Sequence, residues 1–185
     1  MKRLFIAIKI KPDAVFLEQF REMKEVLKHE PVKWVEEHNI HITLKFLGET
    51  NELLLPVIGK ALDEVARSTK AFRFCLEGLG IFGSSYQPRV LWIGIKPYEK
   101  LAGLMAAVHT ALELQGFEKD RQNLVPHLTL GRIKFLNDKK LFQEVVDDFR
   151  DISSSPITAA GMILYESILK KEGPEYHMIQ THSFQ

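Results

Sequence analysis

The chain has 185 residues, 45% of them hydrophobic, with 25 basic and 24 acidic side chains for a formal net charge of +1. Such a chain can bury a sizeable core without covalent staples; it is too apolar for a disordered segment and too evenly charged to wrap along a nucleic acid by neutralising it. Its one cysteine, Cys75, rules out an intrachain disulfide and fits a reducing cytoplasm.

The amino terminus imitates a secretion signal, but its apolar stretch ends at Lys9 after five residues, short of the roughly 7 that a signal core needs. No run approaches the ~18 apolar residues of a membrane span. The expectation is a cytoplasmic monomer with no membrane partner.

The elements follow in order. Arg3 to Ile10 reads as a strand, broken by Pro12-Asp13. Ala14 to Lys28 has helical spacing, with Val15/Phe16, Phe20, Met23 and Val26/Leu27 on one side. Lys33-Trp34-Val35 is a short strand and Asn39 to Leu47 a stronger one, closed by Gly48. Glu52 to Arg67 is a second helix with Pro56 near its start, where proline is tolerated. Phe72 to Phe82 and Arg89 to Ile95 form a hairpin around Gly83-Ser84-Ser85-Tyr86-Gln87-Pro88. Cys75 lies inside its first strand and reads as a small buried hydrophobe. Tyr98 to Gln115 is a third helix, with Gly116 as its C-cap. His127 to Phe135 is a strand, and Lys139 to Phe149 a helix capped by Asn137 or Asp138. Ile157 to Leu169 and Tyr176 to Ser183 close the chain as a strand pair around Gly173-Pro174. Strands parted by helices, with hairpins between some of them, predict an α+β architecture. The absence of a glycine-rich loop after a strand argues against a dinucleotide or P-loop site.

His41-Ile42-Thr43-Leu44 recurs as His127-Leu128-Thr129-Leu130, 86 residues later, close to half the chain. Each copy follows a turn-like segment, Glu36 to Asn39 in one case and Asn123 to Pro126 in the other. The spacing predicts two related halves that each bring one such strand to a shared centre. In a strand, alternate side chains share a face, so His41 sits with Thr43 and His127 with Thr129, while their apolar neighbours face the core. Two imidazoles and two hydroxyls would then surround one phosphate. In-line displacement at phosphorus needs a base on the attacking oxygen and an acid on the departing one. Histidine, with an ordinary pKa of about 6.5, can serve as either near neutral pH. The threonines can donate to the non-bridging oxygens, and the scheme requires no metal or other cofactor.

These residues resemble the two-histidine phosphoesterase superfamily, and within it the RNA 2′,3′-cyclic phosphodiesterases, also called 2′-5′ RNA ligases. The resemblance runs from Arg3-Leu4-Phe5-Ile6-Ala7 and Trp34-Val35 through His41 to Gly48, Pro88 to Trp92 and Pro126 to Arg132. It ends at Tyr165-Glu166-Ser167 and Gly173 to Tyr176. It implies one bilobal domain over residues 1–185, with two pseudo-symmetric halves whose antiparallel sheets line a central cleft and whose helices lie outside. It also implies metal-independent hydrolysis of a terminal 2′,3′-cyclic phosphate, on an RNA 3′ end or a nucleotide, to a 2′-phosphomonoester. His41 would be the proton donor and His127 the proton acceptor, an order that the near-identical motifs do not fix by themselves. Ligation in the reverse direction, hydrolysis of a small cyclic nucleotide or ADP-ribose derivative, and noncatalytic recognition of an RNA end are the alternatives.

Lys45, Arg132, Arg89 and Tyr86 are candidate substrate-binding residues. Regular alternation puts Lys45 on the face of His41 and Gly131 on the face of His127, where a missing side chain would admit substrate. It puts Arg132 on the opposite face, unless the strand twists or ends after Gly131. Tyr86 belongs to the hairpin loop, where a tyrosine can stack on a base, and Arg89 follows that loop, where it could meet an RNA phosphate; Phe46 and Trp34 read as packing. His38 has no cysteine or histidine pair near it for zinc, and His29, His109, His177 and His182 form no visible constellation.

Overall fold

A computed structural model describes residues 1–84, 86–118, 125–171 and 173–185. In chain order the elements of the first half are β1 (Lys2–Lys9), α1 (Ala14–Val26), β2 (Val32–Trp34), β3 (His41–Thr50), α2 (Leu55–Arg67) and β4 (Phe72–Gly83). The rest are β5 (Pro88–Lys96), α3 (Glu99–Glu113), β6 (Leu128–Ile133), α4 (Lys139–Asp148), β7 (Ile157–Ala159), β8 (Gly161–Leu169) and β9 (Pro174–Ser183).

Alternation in β1 sets the layout. Leu4, Ile6 and Ile8 enter the main core, while Phe5 and Ala7 join a smaller cluster with Tyr165 on the opposite face. A strand buried on both faces belongs inside a sheet, and β1 stands within an antiparallel sheet ordered β3-β1-β8-β9. A second antiparallel sheet has the order β2-β6-β5-β4-β7. The helices pack on these sheets and on one another, α3 against β3 and α2 against both β9 and α3. Their apolar faces, including Phe16 and Phe20 of α1 and Leu101 and Leu112 of α3, fill the main core. The architecture is therefore α+β with two antiparallel sheets, and no described helix is long and apolar enough to cross a membrane.

Local signals explain most boundaries. Asp13 caps α1 by accepting from the Phe16 N–H at 2.9 Å, and Asp138 caps α4 by accepting from Leu141. Three expectations need correction. Ile157 to Leu169 is not one strand: β7 pairs with β4 and β8 with β1 and β9, so the chain changes sheets at Ala160. A Cβ on Gly161 would lie 2.7 Å from the His182 carbonyl oxygen, so glycine permits that crossing. Gly48 does not close β3; with φ +66° it absorbs an irregularity and the strand runs on to Thr50. Asn39 does not begin the strand: it ends a 3-10 turn over residues 37–39, in keeping with the turn-like segment before the motif, and β3 starts at His41. Ser85 of the hairpin loop, and Asn123 and Leu124 of the turn before the second motif, lie outside the described residues.

The two motif strands share one departure from regular pairing. Against β1, Thr43 pairs with Ala7 and Lys45 with Ile6, leaving Leu44 as an extra residue. Against β5, Thr129 pairs with Trp92 and Gly131 with Leu91, leaving Leu130 extra in the same way. A bulge of one residue inverts the alternation beyond it. Lys45 and Gly131 therefore turn inward, and Phe46 and Arg132 turn outward.

Gly131 accordingly does not open the cleft to substrate. It is buried under β2, where an added Cβ would meet Val32 Cγ1 at 2.8 Å and Trp34 Cε3 at 3.1 Å. Gly131→Ala should destabilise the fold by about 1–3 kcal/mol through overpacking, read as a lower midpoint in urea unfolding. An unchanged midpoint would mean that β2 lies less tightly on β6 than described.

Candidate active site

His41 opens β3 and His127 immediately precedes β6, and these two strands are neighbours across the two sheets. Each ring is held the same way. His41 Nδ1 lies 2.6 Å from the Asn39 carbonyl oxygen, and His127 Nδ1 lies 2.7 Å from that of Val125. A carbonyl only accepts, so Nδ1 carries the proton in both rings and donates it. Nε2 is left as the titrating nitrogen of each imidazole.

The rings sit among aromatic side chains. Phe5 and Tyr176 flank His41 at centroid distances of 5.2 and 5.3 Å; Phe82 and Trp92 flank His127 at 4.8 and 6.3 Å. This burial is the main reason both imidazoles titrate below the ordinary histidine value. The carbonyl bond opposes the shift in each case, and the positive charge of Arg132 adds to it. Burial raises the Tyr176 phenol, while Arg132 and Arg3 pull it down. One guanidinium thus acts on both imidazoles and on the Tyr176 hydroxyl.

Thr43 and Thr129 are half-buried beside the histidines, and neither hydroxyl has a hydrogen-bond partner among the described residues. Two imidazoles with their Nε2 positions available, two free hydroxyls and a guanidinium make an anion site able to move a proton at each of two points. Among the described residues no three His, Cys, Asp or Glu side chains gather as a metal site would require. A recess of about 210 Å³ adjoins His41, lined by Lys9, Asn39, Tyr165, Tyr176 and Met178 among others. The larger recess between α2 and α3, about 780 Å³, holds none of these groups. Chemistry rather than volume locates the site.

Lys45 is corrected outright. The bulge at Leu44 sends it to the helix side of the sheet, where only 3% of it is exposed. There its ammonium donates to the Glu118 carbonyl at 3.0 Å and lies 3.4 Å from His109 Nδ1, too deep to meet substrate. Arg132 moves the other way, onto the open side with Thr129. Phe46, read from the sequence as packing, is 57% exposed and stands 5.9 Å from Phe5 on the cleft side. Trp34 packs against Phe20 as expected. Tyr86 and Arg89 are exposed in the hairpin region and contact neither imidazole. Cys75 is half-buried rather than buried. His182 is buried and paired with Asp63, away from the cleft. Sequence reasoning missed Phe5, Phe82 and Tyr176 as walls of the site. Phe5 alternates with residues of the main core, and a period-2 pattern does not distinguish a core face from an aromatic cleft face.

The family model of the 2′-5′ RNA ligase superfamily matches residues 11–167. The RNA 2′,3′-cyclic phosphodiesterase of Methanocaldococcus jannaschii is 35% identical over 178 residues, covering 96% of this chain and 98% of that one. Its namesake in Thermotoga maritima is 31% identical over 185 residues, covering 99% and 96%. A crystal structure of a Thermus thermophilus protein matches with a TM-score of 0.80 at 26% identity, covering 98% and 97% of the two chains. Escherichia coli LigT complexed with 3′-AMP shares the fold with a TM-score of 0.74 at 22% identity, over 99% and 98%.

The field of Arg132 can be tested without substrate. Arg132→Met should raise the pKa of both His41 and His127, because it removes a positive charge that disfavours each imidazolium. Proton NMR titration of the two rings reads the effect. A shift confined to one ring, or a fall in either, would contradict the shared cleft.

Proposed function

The chain belongs to the 2′-5′ RNA ligase superfamily, and on that footing we propose that it hydrolyses the 2′,3′-cyclic phosphate at an RNA end with His41 and His127 as acid and base. The observation that carries the reading is the pair of imidazoles, each tethered through Nδ1 and both within the field of Arg132. In the scheme, Nε2 of His127 accepts a proton from a water that attacks phosphorus. The P–O3′ bond breaks opposite the attack, and Nε2–H of His41 protonates the departing 3′ oxygen. A 2′-phosphomonoester and a 3′-hydroxyl result, and the two rings have exchanged protonation states. Thr43 and Thr129 donate to the non-bridging oxygens, where charge builds up in the transition state, and Arg132 balances that charge. The bound phosphate anion offsets Arg132 and restores the acid's proton, which the free site holds weakly. No metal takes part in any step.

We read residues 1–185 as one domain with two related halves, a reading supported by the matching bulges at Leu44 and Leu130. The halves are not equivalent: position by position, Phe46 in the first motif strand corresponds to Arg132 in the second. An aromatic on one side and a cation on the other fit a ligand with a nucleoside end and a phosphate end. A cytoplasmic location accords with the lone Cys75.

His41→Ala and His127→Ala should each lower turnover of a short RNA ending in a 2′,3′-cyclic phosphate by a factor of ~10²–10⁴ while binding persists. Wild-type rates in both variants would refute the acid–base assignment. Activity should survive excess EDTA; loss that added metal restores would contradict the scheme. Efficiency requires one ring protonated and the other neutral, and both titrate below the usual value. The profile of kcat/KM against pH should therefore be a bell with its maximum on the acid side of about 6.5. A flat profile continuing into the alkaline range would exclude an imidazolium acid.

A further inference from the structure

Basic side chains follow one another where β6 ends. Arg132 is exposed one residue before the end of the strand, and Lys134 is exposed one residue beyond it. Lys134 also lines a groove of about 480 Å³ that opens where β5 begins and β6 ends. Tyr86, Arg89, Phe135 and Lys139 line it too, and no carboxylate does.

Two features of this groove are costly in a free protein. Tyr86 is 77% exposed and Phe135 is 55% exposed, large aromatic surfaces facing water along one groove. Arg89, Lys134 and Lys139 have no acidic partner among the described residues, whereas Lys96, Lys140 and Arg150 are paired with Glu77, Glu144 and Asp147. A chain of net charge +1 therefore gathers here three cations without an acidic partner among the described residues. Lys139 already lies over one face of the Tyr86 ring, 3.6 Å from its centroid, and leaves the other face open. Cations along a path with aromatic rings between them match a single strand of nucleic acid, whose phosphates and bases alternate in the same way.

We propose that this groove holds the nucleotides immediately 5′ of the cyclic phosphate, so that the enzyme selects RNA ends over mononucleotides. The inference rests on the proposed function of the cleft and extends it. The terminal phosphate lies between the imidazoles and Arg132. The strand leaves past Lys134, and an upstream base stacks on the open face of Tyr86 or on Phe135, between the charges of Arg89 and Lys139. Three cations suffice for a short contact, which is why overall charge neutrality does not preclude it.

The test compares kcat/KM on a cyclic-phosphate RNA of about 8 nucleotides, within the usual span of single-strand sites, with kcat/KM on a 2′,3′-cyclic mononucleotide. Wild type should prefer the oligomer. The double substitution Lys134→Ala with Lys139→Ala should lower the oligomer-to-mononucleotide ratio about 10-fold. It should also flatten the salt dependence of the oligomer reaction, since each lost phosphate contact removes about 0.7 from the logarithmic slope. Mononucleotide turnover reports in the same experiment that the variant is folded. A ratio equal to wild type would overturn the groove and leave the cleft's function standing. Failure of wild type on both substrates would overturn the cleft's function, and the groove with it.

Discussion

Two hydrogen bonds from side chain to main chain govern everything else in the cleft. An imidazole has two nitrogens and two neutral tautomers, and which one reaches a ligand decides what the ring can do. By donating Nδ1–H to a carbonyl two residues upstream, His41 and His127 give up one nitrogen to position and keep Nε2 for chemistry. The first of those carbonyls is itself anchored. It belongs to a 3-10 turn tied to α1 by the paired bonds of Arg21 with Glu37, both 2.7 Å long, and the Asn39 side chain donates to the Pro174 carbonyl at the start of β9. The ring therefore inherits its position from packed elements rather than from its own rotamer alone.

Around that constraint the site balances opposed electrostatic effects. Aromatic walls and Arg132 both disfavour the imidazolium, while the carbonyl bonds favour it. The free site thus disfavours the protonated form of both rings, and in the proposed function an arriving phosphate anion supplies the field that lets one of them hold a proton. The paired bulges serve the same end. Without them regular alternation would put Arg132 on the core face and Lys45 on the open one; with them Lys45 reaches His109 of α3 and the Glu118 carbonyl.

Much of this is legible in the sequence. The repeated His-x-Thr-x tetrapeptide announces the two strands, one opening at His41 and one directly after His127. The nearly continuous apolar run of β1 and the aspartates before α1 and α4 place those elements closely. The misplaced residues share one cause: regular alternation runs straight through positions where the strands bulge. Leu44 and Leu130 have ordinary strand chemistry and signal no extra residue, so alternation alone puts Lys45, Phe46, Gly131 and Arg132 on the wrong face or leaves them undecided. The split between β7 and β8 is equally hidden, because a strand that changes sheets keeps its apolar pattern on both sides of the change. The aromatic walls at Phe5, Phe82 and Tyr176 come from three different strands, and only the register between those strands brings them to the rings.

The central claim is that both tethered rings present Nε2 to one and the same phosphate. Long-range proton–nitrogen NMR during titration with a nucleoside 2′-monophosphate tests it most directly. In the free protein both rings should show the Nδ1–H tautomer. On addition of the ligand both Nε2 signals should shift together along a single binding curve while both Nδ1 protons stay in place. A response from one ring alone, two unrelated affinities, or an Nε2–H tautomer in either free ring would contradict the account.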